Sequence, residues 1–319
     1  MTMREKPSVL VLGGGPDAER EVSVVSSKAV AAALVSSGYI VNYQVIDRPN
    51  LRELSAWAGD VVFPVLHGGW GEGGPLQDLL ELMGRPYVGC QPPAARHAMD
   101  KLGTKLTAAS MGIRTAPAGS FNPRDDGCPL GAVTGSKPVV VKPVHEGSSV
   151  GVHICRDQRQ WESAVGAVRE DMRRHPDRAY MVERGILGSK ELTVGVIGTE
   201  EGVPEPLDPI LIAPAVEFYD YQAKYTRNDT KYEVDPPLPT GVKELVRRWA
   251  AEMFRGLGCR HLARVDFLMD ADGLCWLLEV NTMPGFTDHS LLPMAAAHRG
   301  RLMPDLCSHL VSLAWPGRR

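Results

Sequence analysis

Short apolar runs alternate with amphipathic stretches over the first part of the chain. Residues 9–12 and 61–66 are continuous apolar runs, and residues 39–46 alternate between apolar and polar side chains, so all three are expected to be strands. Residues 19–37 place apolar side chains at helical spacing, and Gly38 follows as a typical helix stop. A helix between two strands predicts a βαβ unit, so the chain is expected to open with a parallel sheet.

Both patterns recur through the rest of the chain. Helical spacing is found at residues 76–83, 94–111, 161–174 and 243–257. Strand-like runs are found at residues 138–142, 180–183, 191–197 and on both sides of residues 270–273. Residues 122–137 and 218–232 have neither period, and the second stretch holds four of the eight tyrosines. Long irregular segments often act as lids, so residues 218–232 are expected to form one.

A hairpin is predicted around residues 270–273, because Asp-Ala-Asp-Gly favours a tight turn between two strands. The simplest register places Asp266 opposite Leu277. It places Arg264 opposite Glu279. Side chains alternate along each strand, so a polar face and a core face are expected. The polar face would carry Arg264, Asp266, Glu279 and Asn281. The core face would carry Val265, Phe267, Met269, Leu274, Trp276, Leu278 and Val280.

The polar face of this hairpin offers two carboxylates and an amide oxygen. Such a hard, oxygen-only ligand set suits Mg²⁺, which is usually completed by phosphate oxygens and water. The alternative is a surface salt bridge between Arg264 and one acid, but it leaves the other acid and Asn281 without a role. The sequence therefore predicts a metal site at Asp266, Glu279 and Asn281.

A glycine-rich turn follows the first predicted strand. Gly13, Gly15 and Ala18 fit the dinucleotide pattern G-x-G-x-x-A, with Asp47 as a candidate ribose partner. Asp47 lies further on than the usual spacing of about 20 residues, and the other interpretation is a plain turn. A nicotinamide or flavin site is thus an alternative hypothesis.

Residues 67–75 hold five glycines in nine positions, too many for a packed helix or strand. They are expected to form a loop that lets the backbone approach a ligand. His67, which begins this loop, is interpreted as either a structural or a catalytic histidine. Glu19 is expected near the mouth above the strand ends, where α/β sheets bind ligands.

A second glycine-rich loop, residues 143–151, follows a predicted buried strand that ends at Lys142. Backbone N–H groups and hydroxyls of such a loop can bind phosphate oxygens, although a β-turn is the alternative. A buried ammonium requires an anionic partner, so Lys142 favours a ligand site. The Walker A pattern is absent from the sequence.

Composition excludes some classes of protein. The chain has 319 residues, long enough for about two or three domains, and a net charge of -3 with pI near 6.3. This charge argues against nucleic-acid and membrane-surface binding. The six scattered cysteines lack a CxxC pair and are expected to be reduced thiols in a cytosolic protein. Residues 1–7 lack the apolar run of a secretory signal.

The order and spacing of short motifs resemble D-alanine–D-alanine ligases of the ATP-grasp superfamily, nearly end to end. The matching motifs are AEREVS (18–23), LHGG (66–69), MDK (99–101), VKP (141–143), EGSSVG (146–151), YDY (219–221), AKY (223–225), RVD (264–266), LEVNT (278–282), PG (284–285) and HSL (289–291).

The resemblance implies an α/β fold, a three-domain ATP-grasp ligase with an N-terminal Rossmann-like (pre-ATP-grasp) domain. The expected domains are residues 1–92, 93–182 and 183–319, with ATP between the second and third. The γ-phosphoryl of ATP would pass to the carboxylate of one D-alanine. The amine of a second would then attack the acyl phosphate and expel phosphate, giving D-alanyl-D-alanine for peptidoglycan precursors. Mg²⁺ as cofactor, with Mn²⁺ as a substitute, and a cytoplasmic homodimer are also implied.

The resemblance further implies roles for single residues. Asp266, Glu279 and Asn281 would be the metal ligands. ATP would contact Lys101, Lys142, Ser148, Glu183, Arg184, Ile186, Leu187, Glu191 and Lys224. The first D-alanine would be held by Glu19 and His67, with Ser148 and Tyr225 hydrogen-bonded to Glu19. Arg264 and the Gly285 N–H would stabilise the tetrahedral oxyanion. Ser290 and Leu291 would receive the carboxylate of the second D-alanine.

Residues 183–191, the expected adenine hinge, depart from the family pattern. The segment is one residue longer than usual, and Arg184 stands where Lys, Glu or Gln is common, which leaves Ile186 or Leu187 as the adenine partner. Tyr225 favours an amine over D-lactate as acceptor. The alternatives are a ligase that uses D-serine or D-lactate, a nicotinamide-dependent dehydrogenase built on the first glycine turn, and a non-catalytic nucleotide sensor.

Overall fold

A computed structural model describes residues 6–123, 138–147, 150–213 and 230–315. Three expected site residues, Ser148, Lys224 and Tyr225, lie outside these ranges, as does most of the expected lid. Within the described ranges, no helix combines the length and apolar character that a membrane crossing requires.

The first sheet confirms the predicted parallel βαβ opening. Its strands have the order β2-β1-β3 and are all parallel. They are β1 (Val9–Gly14), β2 (Val41–Ile46) and β3 (Val61–Pro64). The accompanying helices are α1 (Arg20–Ser36), α2 (Leu51–Ala56), α3 (Gly68–Gly71) and α4 (Pro75–Met83). Gly38 takes φ 78°, as a helix stop requires.

The helical turn α3 contradicts the prediction that the glycine-rich segment could not be helical. Two side-chain hydrogen bonds hold it: the Trp70 N–H donates to the distant Asp17 Oδ2 at 2.9 Å, and the Gly68 N–H donates to Glu72 Oε1 at 3.1 Å, at the end of the same turn. These side-chain partners thus overrode the low helix propensity of glycine.

The second sheet is antiparallel, with the order β4-β7-β5-β6. Its strands are β4 (Ala118–Phe121), β5 (Val139–Pro143), β6 (His153–Cys155) and β7 (Tyr180–Arg184). Helix α7 (Gln158–Arg174) packs on one face through Trp161, Ala164 and Val168. Asp157 caps this helix by accepting a hydrogen bond from the Gln160 N–H at 2.8 Å.

The third sheet has the order β11-β10-β8-β12-β13, with β9 paired to β8. Its strands are β8 (Lys190–Ile197), β9 (Glu205–Pro206), β10 (Ile210–Ala213), β11 (Lys231–Val234), β12 (Leu262–Met269) and β13 (Cys275–Asn281). The helices around it are α5 (Pro92–Met99), α6 (Lys101–Ser110), α8 (Val242–Gly256), α9 (Leu291–His298) and α10 (Met303–Ala314).

The last helix, α10, packs back against the first sheet. Leu306 and Leu310 share one buried core with Val9 and Phe63. Phe63 in turn meets Phe286 edge to face, with ring centroids 5.6 Å apart. The two ends of the described chain therefore complete one core.

The predicted single helix at residues 94–111 is wrong. Asp100 has ψ 99° and interrupts it, so α5 ends at Met99 and α6 begins at Lys101. The Asp100 carboxylate accepts hydrogen bonds from the backbone N–H groups of Leu102 and Gly103, both at 3.0 Å. The cap fixes Lys101 at the first position of α6.

The predicted hairpin is confirmed, but its register is wrong. Met269 pairs with Cys275 and not with Leu274, so the turn is one residue longer than predicted. A further shift between Asp266 and Phe267 places Asp266 opposite Glu279 and Arg264 opposite Asn281. This β-bulge leaves Leu278 without a partner residue.

The longer turn also changes which side chains at the start of β13 face the core. Cys275 and Leu277 are buried there, whereas Leu274 is exposed and Trp276 and Leu278 are half-buried. The core assignments of these last three residues were therefore wrong. Leu278 and Glu279 instead line the same cavity.

Gly13 is a packing position between β1 and α1. An added Cβ would lie 1.9 Å from Ser27 Oγ, and Ser27 is fully buried. Gly13→Ala is therefore expected to lower the free energy of unfolding by about 1–3 kcal/mol, measured by denaturant unfolding. Gly166→Ala in α7 is the control. Its new Cβ meets nothing within 4 Å, so a gain of about 0.5–1 kcal/mol is expected. Equal effects of the two changes would contradict the packing role.

Candidate active site

The polar face of β12 and β13 gathers the expected metal ligands at one end of the third sheet. Asp266 is almost fully buried and is held by Arg264, which donates two hydrogen bonds at 2.9 and 2.8 Å. The Thr193 hydroxyl donates a third at 2.5 Å. The expected alternative, an ion pair of Arg264 with one acid, is thus present but buried. Glu279, directly opposite Asp266, remains beside it.

Two carboxylates opposed across a strand pair repel each other unless a cation lies near. Lys101 supplies part of that charge, with its Nζ 3.6 Å from Glu279 Oε2. Its ammonium also donates to the Glu146 carbonyl at 2.5 Å. Burial lowers the pKa of Lys101, although the Glu279 carboxylate opposes this shift.

A buried ion cluster lies next to this face. Glu183 forms ion pairs with Lys142 at 2.5 Å and with Lys105 at 2.8 Å. Burial alone would raise the pKa of Glu183, but the two ammonium groups lower it to about 2. Lys142 at the end of β5 thus has the anionic partner that its burial requires.

These groups line a cavity of about 210 Å³ between the second and third sheets. Its walls include the expected ATP contacts Lys101, Lys142, Glu183, Ile186, Leu187 and Glu191, together with Leu278 and Glu279. Arg184 is not among the lining residues; its guanidinium lies over the Trp276 ring, 5.7 Å from the centroid. The Ile186 carbonyl accepts from the Ser189 hydroxyl at 2.7 Å, which closes the hinge turn.

A second group of residues meets where α1 begins. The glycine at position 147 lets its loop approach Glu19, since an added Cβ would lie 3.2 Å from Glu19 Oε2. Position 69 similarly faces the His145 carbonyl. The two glycine-rich loops therefore converge on Glu19.

His67 is buried and has one clear partner, the Met283 carbonyl, 2.9 Å from Nδ1. Because a carbonyl only accepts, Nδ1 carries the hydrogen. Burial lowers the pKa of His67, which favours the neutral ring. Nε2 then presents a lone pair, and no group of the described ranges bonds to it.

The segment after β13 brings Gly285 against Ser290. An added Cβ at Gly285 would lie 2.7 Å from Ser290 Oγ. Ser290 accepts from the Thr287 N–H at 2.8 Å and stands at the N-cap of α9, with Leu291 next. A helix N-terminus favours a carboxylate, so this corner suits an anionic ligand.

The first glycine turn has structural roles. Gly13 packs on Ser27, and Arg20 donates to the carbonyl oxygens of Gly15 at 2.7 Å and Ile46 at 2.9 Å. Asp47, the candidate ribose partner, is exposed. The plain-turn interpretation accounts for these contacts.

Several site residues escaped the sequence analysis. Lys105 lies four positions after Lys101, a spacing that puts both on one helix face and was a usable signal. Thr193 and Glu72 gave no such signal. Among the described residues, no cluster of three His, Cys, Asp or Glu side chains is arranged to hold a metal; the expected set relies on the amide oxygen of Asn281.

Two family models match the chain. They are described as the D-ala D-ala ligase N-terminus, over residues 49–90, and the D-ala D-ala ligase C-terminus, over residues 132–312. The chain is 42% identical over 307 residues to a D-alanine–D-alanine ligase of Dechloromonas aromatica, covering 96% of this chain and 97% of the relative. It is 41% identical over 308 residues to D-alanine–D-alanine ligase B of Chromobacterium violaceum, with coverage of 96% and 97%.

Solved structures agree in fold. The D-alanine–D-alanine ligase from Coxiella burnetii superposes with a TM-score of 0.80 at 27% identity, covering 97% of this chain and 95% of that one. The VanG D-Ala:D-Ser ligase from Enterococcus faecalis superposes with a TM-score of 0.83 at 24% identity, covering 98% and 100%. This second likeness bears on the fold alone.

Proposed function

The chain belongs to the D-alanine–D-alanine ligase family, and from that premise we propose how its residues join two D-alanines. It is an ATP-dependent, ADP-forming ligase with the ATP-grasp fold, and its product, D-alanyl-D-alanine, serves peptidoglycan synthesis. One observation carries the assignment of the site. The Arg264–Asp266–Glu279–Asn281 face adjoins a cavity lined by buried lysines.

Phosphoryl transfer comes first. The carboxylate of the first D-alanine attacks the γ-phosphorus, and ADP leaves. Lys101 and Lys142 would neutralise charge that spreads over the phosphoryl oxygens. Ile186 or Leu187 would contact the adenine and Glu191 the ribose. Lys224 would add a third ammonium from outside the described ranges.

The metal proposal rests on the donor set. Asp266 and Glu279 stand opposite each other, and a divalent cation held by these acids would add to the charge neutralisation that Arg264 and Lys101 provide. Their oxygens and that of Asn281 suit Mg²⁺, with Mn²⁺ as a substitute. Bound there, the ion would neutralise phosphate charge.

Ligation follows. The amine of the second D-alanine attacks the acyl carbon, a tetrahedral oxyanion forms, and phosphate departs as the amide is made. Arg264 and the Gly285 N–H would stabilise the oxyanion. The remaining rate acceleration would come from holding the two substrates close together and correctly oriented, since no covalent enzyme intermediate is needed.

The two D-alanines would occupy opposite sides of Gly285. Glu19 would pair with the ammonium of the first, while His67 Nε2, an acceptor in this tautomer, would receive an N–H from it. Ser148 and Tyr225 would complete this set. Ser290 and the N-terminus of α9 at Leu291 would bind the carboxylate of the second. The names of the relatives favour D-alanine over D-serine or D-lactate there.

We also propose three properties of the whole protein: its domain limits, its cellular location and its oligomeric state. The domains would be residues 1–92, 93–182 and 183–319, although β7 runs across the second limit. The free, buried thiols such as Cys90, Cys275 and Cys307 support a location in the reducing cytoplasm, and cell fractionation can test this location. A homodimer is expected from the family, and light scattering would give twice the mass of 34.7 kDa if it forms.

ADP release from purified protein with Mg-ATP tests the function. D-alanine is expected to stimulate release strongly, with matching phosphate and dipeptide, whereas L-alanine should not. Equal ADP release with and without D-alanine, in protein that still binds ATP, would refute the assignment. Stimulation by D-serine or D-lactate with D-alanine, but not by D-alanine alone, would move it to the alternative second substrate.

A further inference from the structure

Glu72 is a buried acid to which the proposed reaction gives no role. It ends the turn that begins at His67, and only 6% of its surface is exposed. One carboxyl oxygen accepts from the Gly68 N–H at 3.1 Å, within its own loop. The other accepts from the Met283 N–H at 3.2 Å, 211 residues further along the chain.

Met283 lies between two parts of the proposed machinery. Asn281, a proposed metal ligand, precedes it by two residues, and Gly285, the proposed oxyanion donor, follows by two. The Met283 N–H is shared between Glu72 and Asn281 Oδ1, which is 2.9 Å away. The Met283 carbonyl accepts from His67.

A third bond joins the same two segments. The Thr282 hydroxyl donates to the Glu72 backbone carbonyl at 3.4 Å. The loop that carries His67 is therefore bonded to both backbone groups of Met283 and to its neighbour. The Glu72 carboxyl accepts from the Met283 N–H, and His67 bonds to the Met283 carbonyl.

Stability alone does not account for an acid at this position. Burial, and next the nearby Glu19 carboxylate, raise the pKa of Glu72 to about 8. A buried acid close to another acid is costly, and such groups concentrate at functional sites.

We propose that Glu72 is a positioning residue for ligation: its carboxyl holds the Met283 N–H, and thereby sets the segment from Asn281 to Gly285 against the His67 loop. The proposal rests on the proposed function. Glu72 touches no reacting atom; it acts through Met283 on the spacing between the first substrate and the oxyanion donor. Small misplacements of such groups are costly in rate, on the order of 100-fold for about 1 Å.

The test compares two acid–amide exchanges, one at Glu72 after the helical turn α3 and one at Gln77 in the first turn of α4. Glu72→Gln replaces one acceptor with a donor, so one of its two backbone bonds is lost; kinetics are followed above pH 8, where the wild-type side chain is a carboxylate that accepts both bonds. Gln77→Glu is the matched control. Gln77 is equally buried and accepts from the Gly74 N–H at 3.0 Å while donating to the Gly71 carbonyl at 2.9 Å. That exchange also loses one loop bond, but Gln77 does not contact Met283.

Wild-type ligation is measured first, because its absence would refute the proposed function and not this role. Glu72→Gln is then expected to lower kcat about 10- to 100-fold with ADP affinity unchanged. Gln77→Glu should lower Tm similarly and leave kcat within about twofold. Glu72→Asp, too short to reach both N–H groups, should resemble Glu72→Gln and decides the matter if Glu72→Gln does not fold. Wild-type kcat in the folded Glu72 variants, or equal kcat losses in Gln77→Glu, would overturn the proposal.

Discussion

Glu279→Gln is expected to abolish dipeptide synthesis while leaving the fold nearly unchanged. The change keeps the shape of the side chain but removes the charge that opposes Asp266 and pairs with Lys101 at 3.6 Å. Losing one preorganised charge at a phosphoryl-transfer site costs roughly 100- to 1000-fold in rate, and a lost metal ligand costs at least as much. D-alanine-dependent ADP release should therefore fall by about 1000-fold or more.

The control for this change is Glu205→Gln, which removes a carboxylate from a partly exposed pair with Arg301. It should retain wild-type turnover. ATP binding by Glu279→Gln, followed by fluorescence or calorimetry, should persist in weakened form, and its Tm should match the control within a few degrees. A Glu279→Gln protein that keeps a tenth of the wild-type rate would contradict the proposed role of Glu279 as a metal ligand.

Glu183→Gln is expected to cause the largest loss of stability among these changes. Glu183 is the shared partner of Lys105 and Lys142, and all three side chains are buried. Removing the acid leaves two ammonium groups in a low-dielectric site without compensation. Breaking a buried pair costs about 3–5 kcal/mol, which denaturant unfolding at pH 7 would measure. Glu205→Gln, in a partly exposed pair, should cost less, about 1 kcal/mol.

The pH dependence of stability gives the same prediction a second readout. The pKa of Glu183 is about 2 in the folded protein against an ordinary 4.5, so its contribution is present above pH 4.5. It is lost as the pH falls through the folded pKa, and its size is about 3 kcal/mol from 1.36 kcal/mol per unit. Glu183→Gln should lack this acid-sensitive step. An unchanged unfolding curve at pH 7 would show that the cluster adds no net stability.

Local patterns sufficed for the elements but not for their exact pairing. Alternation along β12 and β13 put Arg264, Asp266 and Glu279 on one face, because that property is set within each strand. The register failed by one residue at the turn, which is longer than predicted, and by another at the bulge at Leu278, which depends on packing across the sheet. The break at Asp100 was missed for a related reason. A residue that caps one helix also fits the helical spacing of its neighbours.

The polar contacts that hold the site together were beyond local patterns. Lys105 and Glu183 are 78 positions apart, and Glu72 and Met283 are 211 apart. The sequence around either residue of such a pair does not indicate which distant residue it contacts. The sequence does contain the order of short motifs, and that order indicated the family. It thereby also indicated the expected ligand residues, which each single motif leaves ambiguous.

The contact between α10 and the first sheet has a consequence for biosynthesis. Val9 and Phe63 belong to the same core as Leu306 and Leu310. Helix α1 covers part of this face of the first sheet, but the core is not complete until the last helix has been made. At about 5–20 residues per second, the roughly 240 residues between Pro64 and Met303 take on the order of ten to fifty seconds to translate. During that interval the nascent first sheet exposes apolar surface, a state that chaperones recognise. The core of the first sheet can therefore be completed only near the end of translation.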